Sequence, residues 1–292
     1  MRKPQWKQML MRRSARILLL SVCLLTPVLW RFLAPDHVTT LPFTYSSDQG
    51  SIQFRTLIAG QQHPLEFNTL LTKPLLGSRL YQQLSHAEVG IDRLNPAADF
   101  ALGSYHAHLV YGEIAEAELH PHMEGILGLD LFTPSPGFDG QNRRPGARIT
   151  IDFKTKLMTV EDGAEFAPLN LPPGTVQAPL LRDDDGRYSL LLPLNNGASY
   201  RFTLGIGYRE VLLPAGAVLF PNREGTGYVN ATGLVPVTLS MSGQDLSVQA
   251  IALPEYRPTG ILGMSLLANY RVVVDFRNNR LYLEPANSRI DF

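Results

Sequence analysis

Two pairs of histidines are the first residues in this chain whose type and spacing could do chemistry. His106-Ala107-His108 and His120-Pro121-His122 each set two imidazoles at period two, on one face of an extended strand. A hairpin turning near Gly112-Glu113 would bring His106 opposite His120, and four neutral imidazoles on one surface would suit Zn²⁺ or Cu²⁺. Pro121 breaks strand regularity, however, and no carboxylate is placed to orient the rings. The four are therefore read as surface or interface histidines and only as weak metal candidates. Asp152 and Asp275 also invite pairing, because Ile151-Asp152-Phe153 and Val274-Asp275-Phe276 repeat the same words. An Asp at a strand end more often accepts hydrogen bonds from the turn that follows, so both are read as structural. Cys23 is the single cysteine, which excludes an internal disulfide and any cysteine-based metal site.

The elements that must position these residues come as a repeat. Gly125-Ile126-Leu127-Gly128-Leu129-Asp130-Leu131-Phe132 returns as Gly260-Ile261-Leu262-Gly263-Met264-Ser265-Leu266-Leu267. Each copy is followed by an alternating strand ending in Asp-Phe, a polar piece of hairpin-turn length, and a second strand. Upstream of each copy a strand, a polar turn and a second strand also recur, at 52–71 and 188–204. The spacing predicts two homologous β-rich lobes, 48–165 and 188–292. Between them 166–187 holds four prolines and Asp183-Asp184-Asp185-Gly186, which is linker chemistry. Lobe 1 alone carries an insertion, 133–146, whose Phe138, Arg143 and Arg144 could dock a partner or simply ride on an exposed loop. The Asn230-Ala231-Thr232 sequon matters only in a eukaryotic secretory setting.

This doubled pattern of strand, hairpin, closing Gly-Ile-Leu-Gly block and terminal hairpin resembles the retropepsin-like aspartic protease superfamily. The resemblance covers nearly all of 48–287, and its tandem form is similar to the pepsin arrangement of two lobes in one chain. It implies an all-β fold of two β-barrel lobes with a cleft between them, each lobe contributing one loop that carries a catalytic Asp-Thr/Ser-Gly. Two carboxylates held close together share one proton, so that one activates a water while the other protonates the carbonyl under attack.

The residues at those positions depart from the pattern. In lobe 1 the motif falls on Phe67-Asn68-Thr69-Leu70, and in lobe 2 on Leu204-Gly205-Ile206-Gly207. Asn68 has no titratable proton and Gly205 no side chain, so a shared-proton dyad cannot form there. Glu66 and Glu210 are the nearest acids. A relocated dyad built from them would need placement within a fraction of an ångström, which their spacing does not favour. The expected product is a pseudoprotease with no catalytic residues and no cofactor. Its groove near Asn68, Thr69, Gly205, Gly207 and Tyr208 would bind an extended peptide or a partner's strand through backbone hydrogen bonds.

Charge and hydropathy place the chain. Seven bases and no acid lie in 1–34, although the whole sequence balances at 26 of each. The lobes are thus mildly acidic and without a basic stripe, which excludes nucleic acid as a partner. Basic residues 1–16 precede an apolar segment 17–34 that would span about 27 Å as a helix. The positive-inside rule then puts the lobes outside the cytoplasm. Phe32 and Pro35 do not suit signal cleavage, so 17–34 is expected as a retained anchor and 35–47 as a juxtamembrane spacer. The whole reads as a single-pass bacterial inner-membrane protein facing the periplasm, working with protein partners in a membrane complex. The alternatives are an active peptidase with unorthodox acids and a periplasmic metal-binding protein using the histidine pairs.

Overall fold

The computed structural model describes residues 38–87, 96–134, 145–163, 166–194, 197–217, 219–221, 228–230, 233–252 and 258–286. The proposed anchor, 17–34, and the loop residues Phe138, Arg143 and Arg144 lie outside them. Among the described residues no helix is long and apolar enough to cross a membrane.

The chain is mostly β, as the alternating runs predict. Lobe 1 contains β1 (Val38–Pro42), β2 (Thr44–Ser46), β3 (Ser51–Ile58), β4 (Gln61–Phe67), β5 (Leu75–Gly77), β6 (Ala97–Leu102), β7 (Tyr105–Val110), β8 (Gly112–Ile114), β9 (Gly125–Leu127), β10 (Arg148–Asp152) and β11 (Leu157–Glu161). A helix, Ser78–Ala87, follows β5. Next come β12 (Val176–Pro179), β13 (Leu181–Arg182), β14 (Tyr188–Pro193), β15 (Ser199–Leu204), β16 (Val211–Leu212), β17 (Leu219–Pro221) and β18 (Tyr228–Asn230). The chain closes with β19 (Gly233–Met241), β20 (Gln244–Ala252), β21 (Gly260–Leu262), the helical turn Met264–Leu267, β22 (Tyr270–Asp275) and β23 (Arg280–Pro285).

Each lobe is a curled sheet around one crossing. In lobe 1, β4 runs parallel to β9, and β9 lies antiparallel to β5. In lobe 2, β15 runs parallel to β21, and β21 lies antiparallel to β16. Side chains pointing into the curl supply the core, with Phe54, Leu65, Phe67, Phe100 and Leu127 in lobe 1 and Leu190, Phe202, Leu204, Leu239 and Leu262 in lobe 2 all buried. Burying each such side chain contributes about 1.5–3 kcal/mol.

A third, six-stranded sheet joins the lobes in the order β1-β11-β10-β22-β23-β12. At its centre β10 pairs β22 antiparallel, with Ile149 opposite Val274, Thr150 opposite Val273 and Ile151 opposite Val272. Since Thr150 and Val273 hold the same place in the repeat, the internal two-fold axis passes between them.

That sheet corrects two expected boundaries. The spacer expected over 35–47 includes β1, an edge strand of the shared sheet paired to β11, and β2, which pairs β3. The linker expected over 166–187 includes β12, the opposite edge, which pairs β23. Both are short and bounded by proline, and their ladder partners lie far along the chain, so local pattern carries no sign of them.

Candidate functional site

Where β4 and β15 leave their sheets, the chain makes the same loop twice. Asn68 N–H donates to Leu127 O and Gly205 N–H to Leu262 O, both at 3.0 Å. Leu71 N–H then donates to Asn68 O at 3.3 Å, and Tyr208 N–H to Gly205 O at 3.1 Å. The closing block accepts the far end of each loop: Leu129 N–H donates to Leu71 O at 2.9 Å, and Met264 N–H to Tyr208 O at 2.7 Å. A Cβ on Gly263 would overlap the carbonyl of Glu210, so only glycine lets the strand and loop backbones come this close.

The two loops meet at the lobe junction. Thr69 is fully buried; its Oγ1 donates to Leu204 O at 2.6 Å and accepts from Ile206 N–H at 2.8 Å. Its own N–H donates to Ile206 O at 2.9 Å. One side chain of lobe 1 thereby holds the backbone on both sides of Gly205 in the opposing loop. Gly207 has a φ of +85° and packs so tightly that a Cβ would overlap Phe67 O and stand 3.0 Å from Asn68 Cα. The flanks are reciprocal. The turn at Gly50 of lobe 1 sits on the Arg209 backbone, and the turn at Gly186 of lobe 2 sits on the Thr72 side chain. Burial pushes the Tyr45 hydroxyl up to about 12, partly offset by the charge of Arg209 from the other lobe.

Neither acid position carries an acid. Asn68 is half-buried and its Oδ1 accepts from Leu70 N–H at 2.9 Å, an Asx turn that closes the loop on itself. At Gly205 an added Cβ would overlap the Cγ2 methyl of Ile261 and lie 3.3 Å from Leu262 O. The place where an acid would begin is already occupied by a branched apolar side chain. Tyr208 is half-buried, and its Cβ lies 3.5 Å from that same point.

The nearest acids are engaged elsewhere. Glu66, two residues before Asn68, takes a hydrogen bond from His120 Nδ1 at 2.5 Å. Glu210 lies 3.5 Å from the Arg209 guanidinium. Asp152 and Asp275 behave as the turn reading expects: Asp152 Oδ1 accepts from Lys154 N–H and Thr155 N–H at 2.9 and 3.2 Å, and Asp275 Oδ1 from Asn278 N–H at 2.9 Å.

The histidine hairpin does not form. β7, carrying His106 and His108, pairs back onto β6, and His108 Nδ1 meets Asp99 Oδ1 at 2.9 Å. The stretch expected to turn at Gly112-Glu113 is instead β8, running parallel to β5. A 3₁₀ turn, Glu116–Glu118, then carries the chain away, so His120 reaches Glu66 while exposed His122 sits in a turn at φ +71°. Among the described residues no group of three His, Cys, Asp or Glu side chains converges as a metal site. Sequence reasoning missed the Glu66–His120 pair. No local signal could have found it, because the two residues lie 54 positions apart in the chain.

Two parallel crossings, two loops clasped at the junction and one shared sheet define the two-lobed, pepsin-like architecture. Among solved structures, the aspartic proteinase from Irpex lacteus matches with a TM-score of 0.54 at 10% identity, over 86% of this chain and 98% of that chain. Basic 7S globulin from soybean matches with a TM-score of 0.52 at 11% identity, over 86% and 95%. No protein-family model matches the sequence, and no curated protein sequence does. The likeness is one of fold, and this chain has the pepsin-like fold that its sequence resembles.

Proposed function

We propose that this chain is a catalytically silent, aspartic-protease-like binding protein. It would be held in the bacterial inner membrane by 17–34 and would face the periplasm as an accessory or assembly subunit of a membrane complex. One observation carries the silence: the lobe 2 acid position is glycine, with Ile261 filling the space a side chain would need. Asn68 in the matching place offers hydrogen bonds without a proton to give or take at working pH. What the junction retains, half-buried loops with polar backbone and flanking strands, suits an extended chain bound by main-chain hydrogen bonds.

The test is incubation of the full-length protein with a library of unfolded peptides across pH 3–8, read by mass spectrometry for cleavage and by fluorescence polarisation for binding. Binding without cleavage is the expected result. Cleavage that disappears on replacing Glu66 or Glu210, and is indifferent to Asn68→Ala, would establish a peptidase with unorthodox acids instead.

A further inference from the structure

We propose that the lobe 1 wall of the groove holds a subsite for a basic side chain of an extended peptide, with Glu66 as its counter-charge and His120 as a displaceable placeholder. This rests on the peptide-binding reading above and names the chemistry it selects.

Glu66 stands on the face of β4 opposite that of the core residues Leu65 and Phe67, two residues ahead of Asn68. Its cross-strand neighbours are Gln53 on β3 and Ile126 on β9. Ile126 is the repeat counterpart of Ile261, which abuts the acid position of lobe 2. Glu66 thus pairs with the lobe 1 residue that matches Ile261 in the repeat. Its side chain is 9% exposed, whereas that of His120 is 42% exposed and reaches in from the connection between β8 and β9.

The charges around the pair favour a cation. β3 contributes uncharged Gln53 and, diagonally, exposed Arg55; β9 and β5 contribute Ile126 and Leu75. The connection brings Glu116, Glu118, His122 and Glu124 but no Lys or Arg, and Glu124 is already held by His63 at 2.6 Å. A carboxylate this buried requires a counter-charge. An imidazole provides one only while protonated, whereas a guanidinium or ammonium provides one at every working pH. A peptide Arg or Lys is therefore the better partner and replaces His120. Lobe 2 has no equivalent, because the same place holds Thr203 beside Ile261 and Leu212, all buried. The groove is therefore basic-selective on one side only.

A positional-scanning peptide library bound to the full-length protein tests this at pH 7.5. Pools with Arg or Lys fixed at one position should bind roughly tenfold tighter than alanine pools at pH 7.5. Glu66→Gln, which can still accept from His120, should abolish the preference. His120→Ala should keep the preference. Equal binding of all pools, or a basic preference that survives Glu66→Gln, overturns the subsite while leaving peptide binding intact. Loss of the preference in His120→Ala overturns the placeholder role and marks the pair as structural. No binding by any pool overturns both this inference and the function on which it rests.

Discussion

At Thr69 a hydroxyl crosses the junction and holds two backbone groups of the other lobe; at Ile206, its counterpart in the repeat, an apolar side chain fills the corresponding place. The same split recurs one residue earlier, with Asn68 closing an Asx turn in lobe 1 and Gly205 leaving room for Ile261 in lobe 2. Yet the backbone hydrogen bonds of the two loops correspond pair by pair. The loop shape is therefore held by main-chain bonds and by close-packed glycines, and the side chains at these positions differ between the lobes without altering it. Fold and reactivity occupy different atoms of the same few residues.

The comparison breaks first at the shared backbone. Gly207→Ala forces a Cβ onto Phe67 O at a left-handed φ, and should cost about 3–4 kcal/mol in urea denaturation. A loss under 1 kcal/mol would mean the loops are not in the contact described. Next is the one-sided clasp. Thr69→Val strands Leu204 O and Ile206 N–H in a dry junction, for an expected loss of about 2–3 kcal/mol. Ile206→Val at the mirrored position removes only packing, about 1 kcal/mol. Equal losses would show that the hydroxyl does no more than fill space. The finest distinction lies in restoring acids. Asn68→Asp keeps the acceptor used by Leu70 N–H and should stay within about 0.5 kcal/mol of the parent. Gly205→Asp must displace Ile261 and should cost about 2 kcal/mol. Matching stabilities for the two single variants would remove the argument that the lobe 2 site is closed.

The repeat was legible from the Gly-Ile-Leu-Gly blocks because their glycines answer to contacts within each lobe, and such local demands leave the same residues at the same spacing. Asp152 and Asp275 were legible for the same reason, since each caps the turn beside it. β1 and β12 were not, because their pairing is supplied by strands distant in sequence. The histidines misled through chain direction. Period two places His106 and His108 on one face, but whether the next segment returns alongside or departs is decided by β8 pairing with β5, and neither strand announces that choice. Thr69 was picked out as a retained family residue, whereas its reach to Leu204 and Ile206 depends on a junction between segments well over a hundred residues apart.

The shared sheet also sets a timetable for synthesis. β10 emerges with Ile149 and Ile151, both fully buried in the finished fold, but its neighbour β22 is made roughly 120 residues later. At the usual 5–20 residues per second that is a wait of about 6–24 s with one hydrophobic edge unpaired. The edge is close to self-complementary, because Thr150 faces its own repeat counterpart, so two unfinished chains on neighbouring ribosomes present each other with a near-native partner. Premature pairing between nascent copies is the characteristic hazard of a sheet divided evenly between the two halves of one chain.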